Sequence, residues 1–439
     1  MTPTTYLLLY SLLWLLSVIV YKFQYKGSTL GLGLLLLWFF SSVTSIWMIH
    51  QRYYYQSALY VFDIVSFVPL VYLWVTVLMY SFPVLVLKIP TNSYMLFCTK
   101  SDKNVKKTIV NVVVILFIIL SISKFYILLQ MPNSFSFLDS HAGSLAKEKH
   151  MLEITEKLFS SQLGVYSNKL TSIFRDSMLC FAFYFTSQKK YKKAVMLFLC
   201  CVALPFYEGI LLGSRQQIIC LVMNLFITYQ LFNPFLEEGL KLKIKKIFVL
   251  LLVATSVPLI VISLLRFGDY TDFVVYEILR YFGESSVNFA SWLFPHLVGQ
   301  DNGRQILSTL FRDLSFYKNI QTIGPWFYSF VGNLVMAWGR LFTFFGGILF
   351  CIMAIWQKAH LHSQKMSVGK AILLQTIAIM CYEGLFAFIH WLYFGGFVVG
   401  LLWIIILDSN WFTALSQMTS GVFHFFKSFD FIKIRRRYG

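Results

Sequence analysis

Charge is what this sequence has least of. Of its 439 residues, only 13% are Asp, Glu, Lys or Arg, about half the share of a soluble protein. That excludes a soluble globular domain of ordinary composition. Acidic residues are the scarcer kind, 19 against 37 basic ones, for a formal net charge of +18. In a water-soluble protein such an excess points to nucleic acid. Here the cations lie in short clusters between apolar runs, as in chains oriented in a bilayer, so no nucleic-acid partner is expected. The cysteines (Cys98, Cys180, Cys200, Cys201, Cys220, Cys351 and Cys381) lie mostly inside apolar runs without C-x-x-C spacing. Neither a metal site nor a disulfide frame is expected from them. The outward-facing segments hold no H-x-x-x-H pair and no Asp-x-Asp pattern, so no metal and no other cofactor is expected there. The N-terminus lacks a basic leader and a small-residue cleavage site, which predicts that the first apolar run is retained.

What fills the chain instead is hydrocarbon. Hydrophobic residues make up 58% of it, and the mean hydropathy is +0.69. Apolar runs of about 20 residues, the length that crosses a bilayer, recur throughout. A barrel would show alternating segments of about ten residues. The expected fold is all-α and polytopic, with about eleven spans (ten to thirteen). They fall near residues 5–21, 29–49, 58–80, 108–129, 170–187, 194–212, 216–233, 247–265, 331–356, 371–390 and 395–408. Lys-rich connections (Lys22 and Lys26; Lys100 to Lys107; Lys189 to Lys193; Lys241 to Lys246; Lys358 to Lys370) and the Arg435–Arg437 tail alternate with the rest. These belong in the cytoplasm by the positive-inside rule.

The chain divides into N-terminal transmembrane helices (1–265) with an outer loop at 130–169, a large outer (periplasmic) loop containing helices at 266–330, and C-terminal transmembrane helices with a basic cytoplasmic tail (331–439). Within the first outer loop, residues 145–159 show a helical apolar face, suited either to the membrane surface or to packing on the domain. No internal repeat is visible, which weighs against many secondary transporters.

Four constellations could carry chemistry. Gly213-Ser214-Arg215-Gln216-Gln217 joins two spans, and Ser214 with Gln217 fits a capping box. Arg215 then occupies a first helical turn, where a cation is unfavourable for the helix dipole but free N–H groups and a guanidinium suit a phosphate. The plainer alternative is an arginine snorkelling to headgroups. Second, Arg266 opens the large loop, and Arg280 and Glu284 follow at helical spacing, with a surface ion pair as the plain reading. Third, His296 and His390 are candidate bases; a lone histidine near Trp391 and Tyr393 equally suits an interfacial aromatic belt. Fourth, Arg340 lies inside an apolar run after Asn333 and Gly339. An intramembrane charge marks either a functional site or an arginine bound to helix carbonyls. Otherwise the charges concentrate at the outer face, apart from Asp63, Arg175, Asp176 and Glu383 within spans.

The outward Gly-Ser-Arg between two spans, the large loop opening with Arg266, and the Gly-Pro-Trp-Phe-Tyr run at 324–328 leading to Trp338-Gly339-Arg340 resemble Wzy-type oligosaccharide repeat-unit polymerases (O-antigen or capsule polymerases). Where that family commonly has an acid before the late glycine, this chain has Ala337-Trp338, so no role copied from that acid is expected. The resemblance implies a metal-independent glycosyltransferase of the bacterial inner membrane, working on undecaprenyl-pyrophosphate-linked oligosaccharides at the periplasmic face. It implies pyrophosphate binding by Arg215, Arg266 and Arg280, and a separate chain-length-regulating co-polymerase as partner, beside the membrane lipids. The base is left open among Glu284, His296 and His390, and Ser214 and Arg340 are further site candidates. The alternatives are a ligase-like transferase and a flippase or transporter of lipid-linked oligosaccharides. A transporter should show polar residues through its mid-spans and broken helices.

Overall fold

The computed structural model describes residues 2–25, 28–50, 65–87, 94–97, 103–130, 161–211, 215–250, 253, 279, 282–296, 329–360, 365–385 and 391–408. Helix α1 (Pro3–Ile19) runs on into a π-helical segment, Val20–Tyr25. It is followed by α2 (Thr29–His50), α3 (Phe67–Leu85), strand β1 (Tyr94–Leu96), α4 (Lys103–Leu129) and α5 (Gln162–Ser187). Then come α6 (Tyr191–Phe198), a π segment Leu199–Ala203, α7 (Leu204–Leu211) and α8 (Arg215–Phe232). A helix over 282–288 continues through the π turn Phe289–Leu293 and the short turn Phe294–His296. The C-terminal part is α9 (Phe330–His360), strand β2 (Lys365–Ser367), α10 (Val368–Glu383) and α11 (Trp391–Asp408).

Local chemistry sets the helix starts. Thr2 precedes Pro3 and accepts from the Thr5 N–H, and proline at N1 gives up no needed donor. Ser161 accepts from the Gly164 N–H at 3.0 Å and Ser367 from the Lys370 N–H at 3.2 Å, each filling one vacancy of a first turn. Among the described residues, seven helices are long and apolar enough to cross a membrane. Their outward apolar residues recur every three or four positions, as in Val112, Ile115, Leu116, Ile119 and Ile122 of α4 and Leu341, Phe345, Leu349, Ile352 and Ile355 of α9. That is the face a lipid-exposed helix presents. The chain is a mostly helical protein with several helices fit to cross a membrane.

Helix α10 is the central post. All of its residues but Lys370 and Met380 are buried, as expected of a helix surrounded by protein. It packs on α11, α3, α8 and α5. The Trp38 indole N–H donates to the Cys381 carbonyl at 3.2 Å, and the Tyr382 hydroxyl to the Leu30 carbonyl at 2.6 Å. Strands β1 and β2 pair in parallel, Tyr94 opposite Lys365 and Leu96 opposite Ser367.

Three expectations need correction. Helix α5 begins at Gln162, eight residues before the expected span, because Ser161 caps it there. The expected span at 331–356 is not one rod. Gly339 breaks α9 at φ 81°, ψ 171°, a region that only glycine occupies readily. The Tyr80 ring meets Phe330 at 5.7 Å and Phe350 at 4.7 Å. Twenty residues of straight helix would hold those two phenylalanines about 30 Å apart, so the arms of α9 fold back on each other around Gly339. Finally, the outer loop 266–330 holds a helix, as expected, but residues 283–291 of it are all buried rather than carried on the surface. The expected helix at 145–159 and most of the span at 247–265 lie outside the described residues.

Candidate functional site

The buried stretch 283–291 is polar for its surroundings. Glu284, Ser285, Ser286, Asn288 and Ser291 are each at most 2% exposed. Such a helix needs partners for its side chains and a reason to sit so deep. Helix α2 supplies both. Ser41 donates to the Phe282 carbonyl at 2.7 Å and Ser45 to the Gly283 carbonyl at 2.9 Å. A Cβ on Gly283 would come within 2.8 Å of the Thr44 backbone, so glycine lets the two backbones meet. Inside the helix, the Asn288 amide donates to Glu284 Oε1 at 3.3 Å. Glu284 is therefore no surface ion-pair residue; it is 1% exposed.

The far end of this helix is held by Arg340. Its guanidinium donates to the Phe294 carbonyl and lies 4.0 Å from the centroid of the Phe294 ring. An arginine over an aromatic face gains a cation–π attraction. Tyr72 of α3 donates to the Arg340 carbonyl at 2.6 Å and stacks on Phe289. The break at Gly339 thus delivers Arg340 to the Phe294 carbonyl. Arg340 Nε is buried and has no partner among the described residues.

A second polar assembly joins α5, α8 and α10. Arg175 Nε donates to Asp176 Oδ1 at 3.2 Å, and the Asn224 amide donates to the same oxygen. Gln375 of α10 donates to Asn224 Oδ1 at 3.0 Å and to Thr228 Oγ1 at 2.7 Å, and accepts from the Cys180 thiol. Glu383 also lies within electrostatic reach of Arg175. Apart from these, Lys124 of α4 and Glu208 of α7 form an ion pair at 2.7 Å with side chains only 5% and 14% exposed.

A scan against family models finds no match, and neither curated proteins nor solved structures give one.

The sequence candidates divide accordingly. Arg215 is the first described residue of α8, and the expected cap Ser214 before it lies outside the described residues. His296 is the last described residue of the helical stretch that begins at 282. Ser214, Arg266, Arg280 and His390 lie outside the described residues. The structure brings Arg340 to the helix that carries Glu284 and His296. Sequence reasoning had named Arg175, Asp176 and Glu383 only as charges within spans; it missed Asn224 and Gln375, and with them the network. A polar residue every fourth position on α8, Asn224 and Thr228, was the available signal. No group of three or more His, Cys, Asp or Glu among the described residues could hold a metal.

Proposed function

We propose that this protein is a membrane glycosyltransferase that polymerises undecaprenyl-pyrophosphate-linked oligosaccharide repeat units at the periplasmic face of a bacterial inner membrane. The observation that supports it best is the polar helix 282–296. It lies within the longest connection between apolar runs, is sunk into the bundle, and is bound at its Phe294 carbonyl by Arg340. A membrane enzyme whose donor and acceptor both hang from lipid needs polar groups at such a protein-lined position.

The reaction joins an acceptor hydroxyl to the anomeric carbon of the growing chain. The bond from that carbon to the pyrophosphate oxygen breaks, and undecaprenyl pyrophosphate leaves with the electron pair. Its developing charge calls for arginines, which contact phosphate oxygens in pairs; Arg215, Arg266 and Arg280 take this role, with Arg340 as a further donor. The hydroxyl proton passes to a base within hydrogen-bond reach. The base is drawn from Glu284, which is 1% exposed and tied to Asn288, His296 and His390.

The test is a deletion strain complemented at matched protein levels with wild type, Arg215→Ala or Arg266→Ala, with surface polysaccharide run on a gel. Single repeat units in the deletion, a ladder with wild type and its loss in the arginine variants are the expected results. Long lipid-linked polymer left unattached in the deletion would instead mark a ligase.

One observation favours a second reading, translocation of lipid-linked oligosaccharides. The Arg175–Asp176–Asn224–Gln375 network and the broken α9 are features that transporters use. Repeat units trapped on the cytoplasmic side in the deletion strain would decide for it.

A further inference from the structure

Residues 191–211 form one continuous helix through α6, the π segment and α7. It runs alongside α4 in the same direction. Near the start of both helices, Lys193 Nζ donates to Asn111 Oδ1 at 3.0 Å; further along, Lys124 pairs with Glu208 at 2.7 Å. The seam between the two helices is therefore held at two depths.

Both helices begin with lysines. Lys103, Lys107, Lys192 and Lys193 are all exposed. Lys103, Lys107 and Asn111 follow at four-residue spacing and share a face of α4, each about 6 Å further along its axis. Lys193 arrives at Asn111, so the cations of two helices meet at one end of one seam. No Asp or Glu occurs in residues 103–130 or 191–207, and none of these four lysines forms an ion pair among the described residues. Lys189 and Lys241 differ, being paired with Glu237 and Glu238 at 2.6 Å each. One turn beyond Asn111 the seam becomes apolar. Ile115 and Ile119 continue the Lys107–Asn111 face of α4, and Val195, Met196 and Leu199 follow the lysines of the second helix; all five are 44–56% exposed.

A soluble anion would use the lysines and leave the apolar length idle. A seam with cations at its mouth and hydrocarbon along its walls matches a molecule with an anionic head and acyl chains, and basic sites between membrane helices take acidic headgroups. We propose that the seam between α4 and the helix 191–211 binds an anionic phospholipid. Its phosphate lies against Lys103, Lys107 and Lys192, and its acyl chains run along Ile115, Ile119 and Leu199. The site does not depend on the polymerase reading.

The test adds phosphatidylglycerol to the full-length protein in mild detergent and follows bound lipid by native mass spectrometry, with phosphatidylcholine as the neutral comparison. Phosphatidylglycerol is expected to bind at least tenfold more tightly. A lysine near an anionic surface accounts for about fivefold in affinity, so Lys107→Gln with Lys192→Gln is expected to weaken phosphatidylglycerol binding at least tenfold. Lys243→Gln with Lys245→Gln, which alters exposed lysines on the helix at 238–250, is expected to weaken it less than twofold. Millimolar inorganic phosphate is expected to leave the lipid in place. Equal binding of phosphatidylcholine overturns the proposal. So does an equal loss in the two double variants, which would leave only a diffuse attraction to every lysine of this protein. Displacement by inorganic phosphate would make the seam a site for a soluble anion and overturns the lipid assignment.

Discussion

The two buried polar assemblies differ in how completely they are paired. Between α5, α8 and α10, Asp176 Oδ1 takes two donors, and Gln375 engages Asn224, Thr228 and Cys180 at once. Around the helix at 282–296, by contrast, the Ser285 hydroxyl and the Arg340 Nε are buried and find no partner among the described residues. An unpaired buried hydroxyl costs about 1–3 kcal/mol. The first assembly is therefore framework, holding three helices in one arrangement. The second tolerates a cost, and buried polar groups left unpaired call for a water or a functional reason.

The largest way to break this comparison is Asp176→Ala. It strands the Arg175 guanidinium in the bundle, and removing one partner of a buried pair costs about 3–5 kcal/mol. We expect the folded yield in detergent and the melting temperature to fall sharply; melting within a degree or two of wild type would mean the network is not framework. Next comes Gly339→Ala. An alanine forced to φ 81° costs about 1–3 kcal/mol, and the break that brings Arg340 to Phe294 is disturbed. The expected result is a well-folded protein that no longer yields a polysaccharide ladder. Ser285→Ala sharpens the contrast from the other side. Removing a hydroxyl that has no protein partner should change stability by less than about 1 kcal/mol in either direction; a larger loss on thermal melting would reveal a bound water. The smallest effect belongs to Lys189, which comes after α5 at φ 59°. Its ion pair with Glu237 is 2.6 Å long, but both side chains are more than half exposed, so solvent screens it. Lys189→Gly, suited to a left-handed residue after a helix, should raise the melting temperature slightly; a fall would show that the exposed pair contributes after all.

Much of the architecture could be read from the sequence, because a run of about 20 apolar residues has few other uses. The burial of 282–296 could not, for a physical reason. Its charged and hydroxyl residues look like those of a surface helix, and what makes its burial tolerable is Ser41 and Ser45, some 240 positions away. Gly339 read as a site of close helix approach, while its positive φ depends on where the two arms of α9 are anchored. The network at Gln375 was hidden in the same way, since each member alone is an ordinary polar residue in an apolar span.

The bond from Trp38 to the Cys381 carbonyl spans 343 positions of the chain. At the pace of the ribosome, about 5–20 residues per second, Trp38 emerges roughly 20–70 seconds before its acceptor exists. During that interval the first two helices stand in the membrane with the slot for α10 empty. The newborn protein is thus an unfinished arch whose keystone arrives almost last, and a chain cut short before Val368 would leave membrane chaperones and proteases a permanent opening to grip.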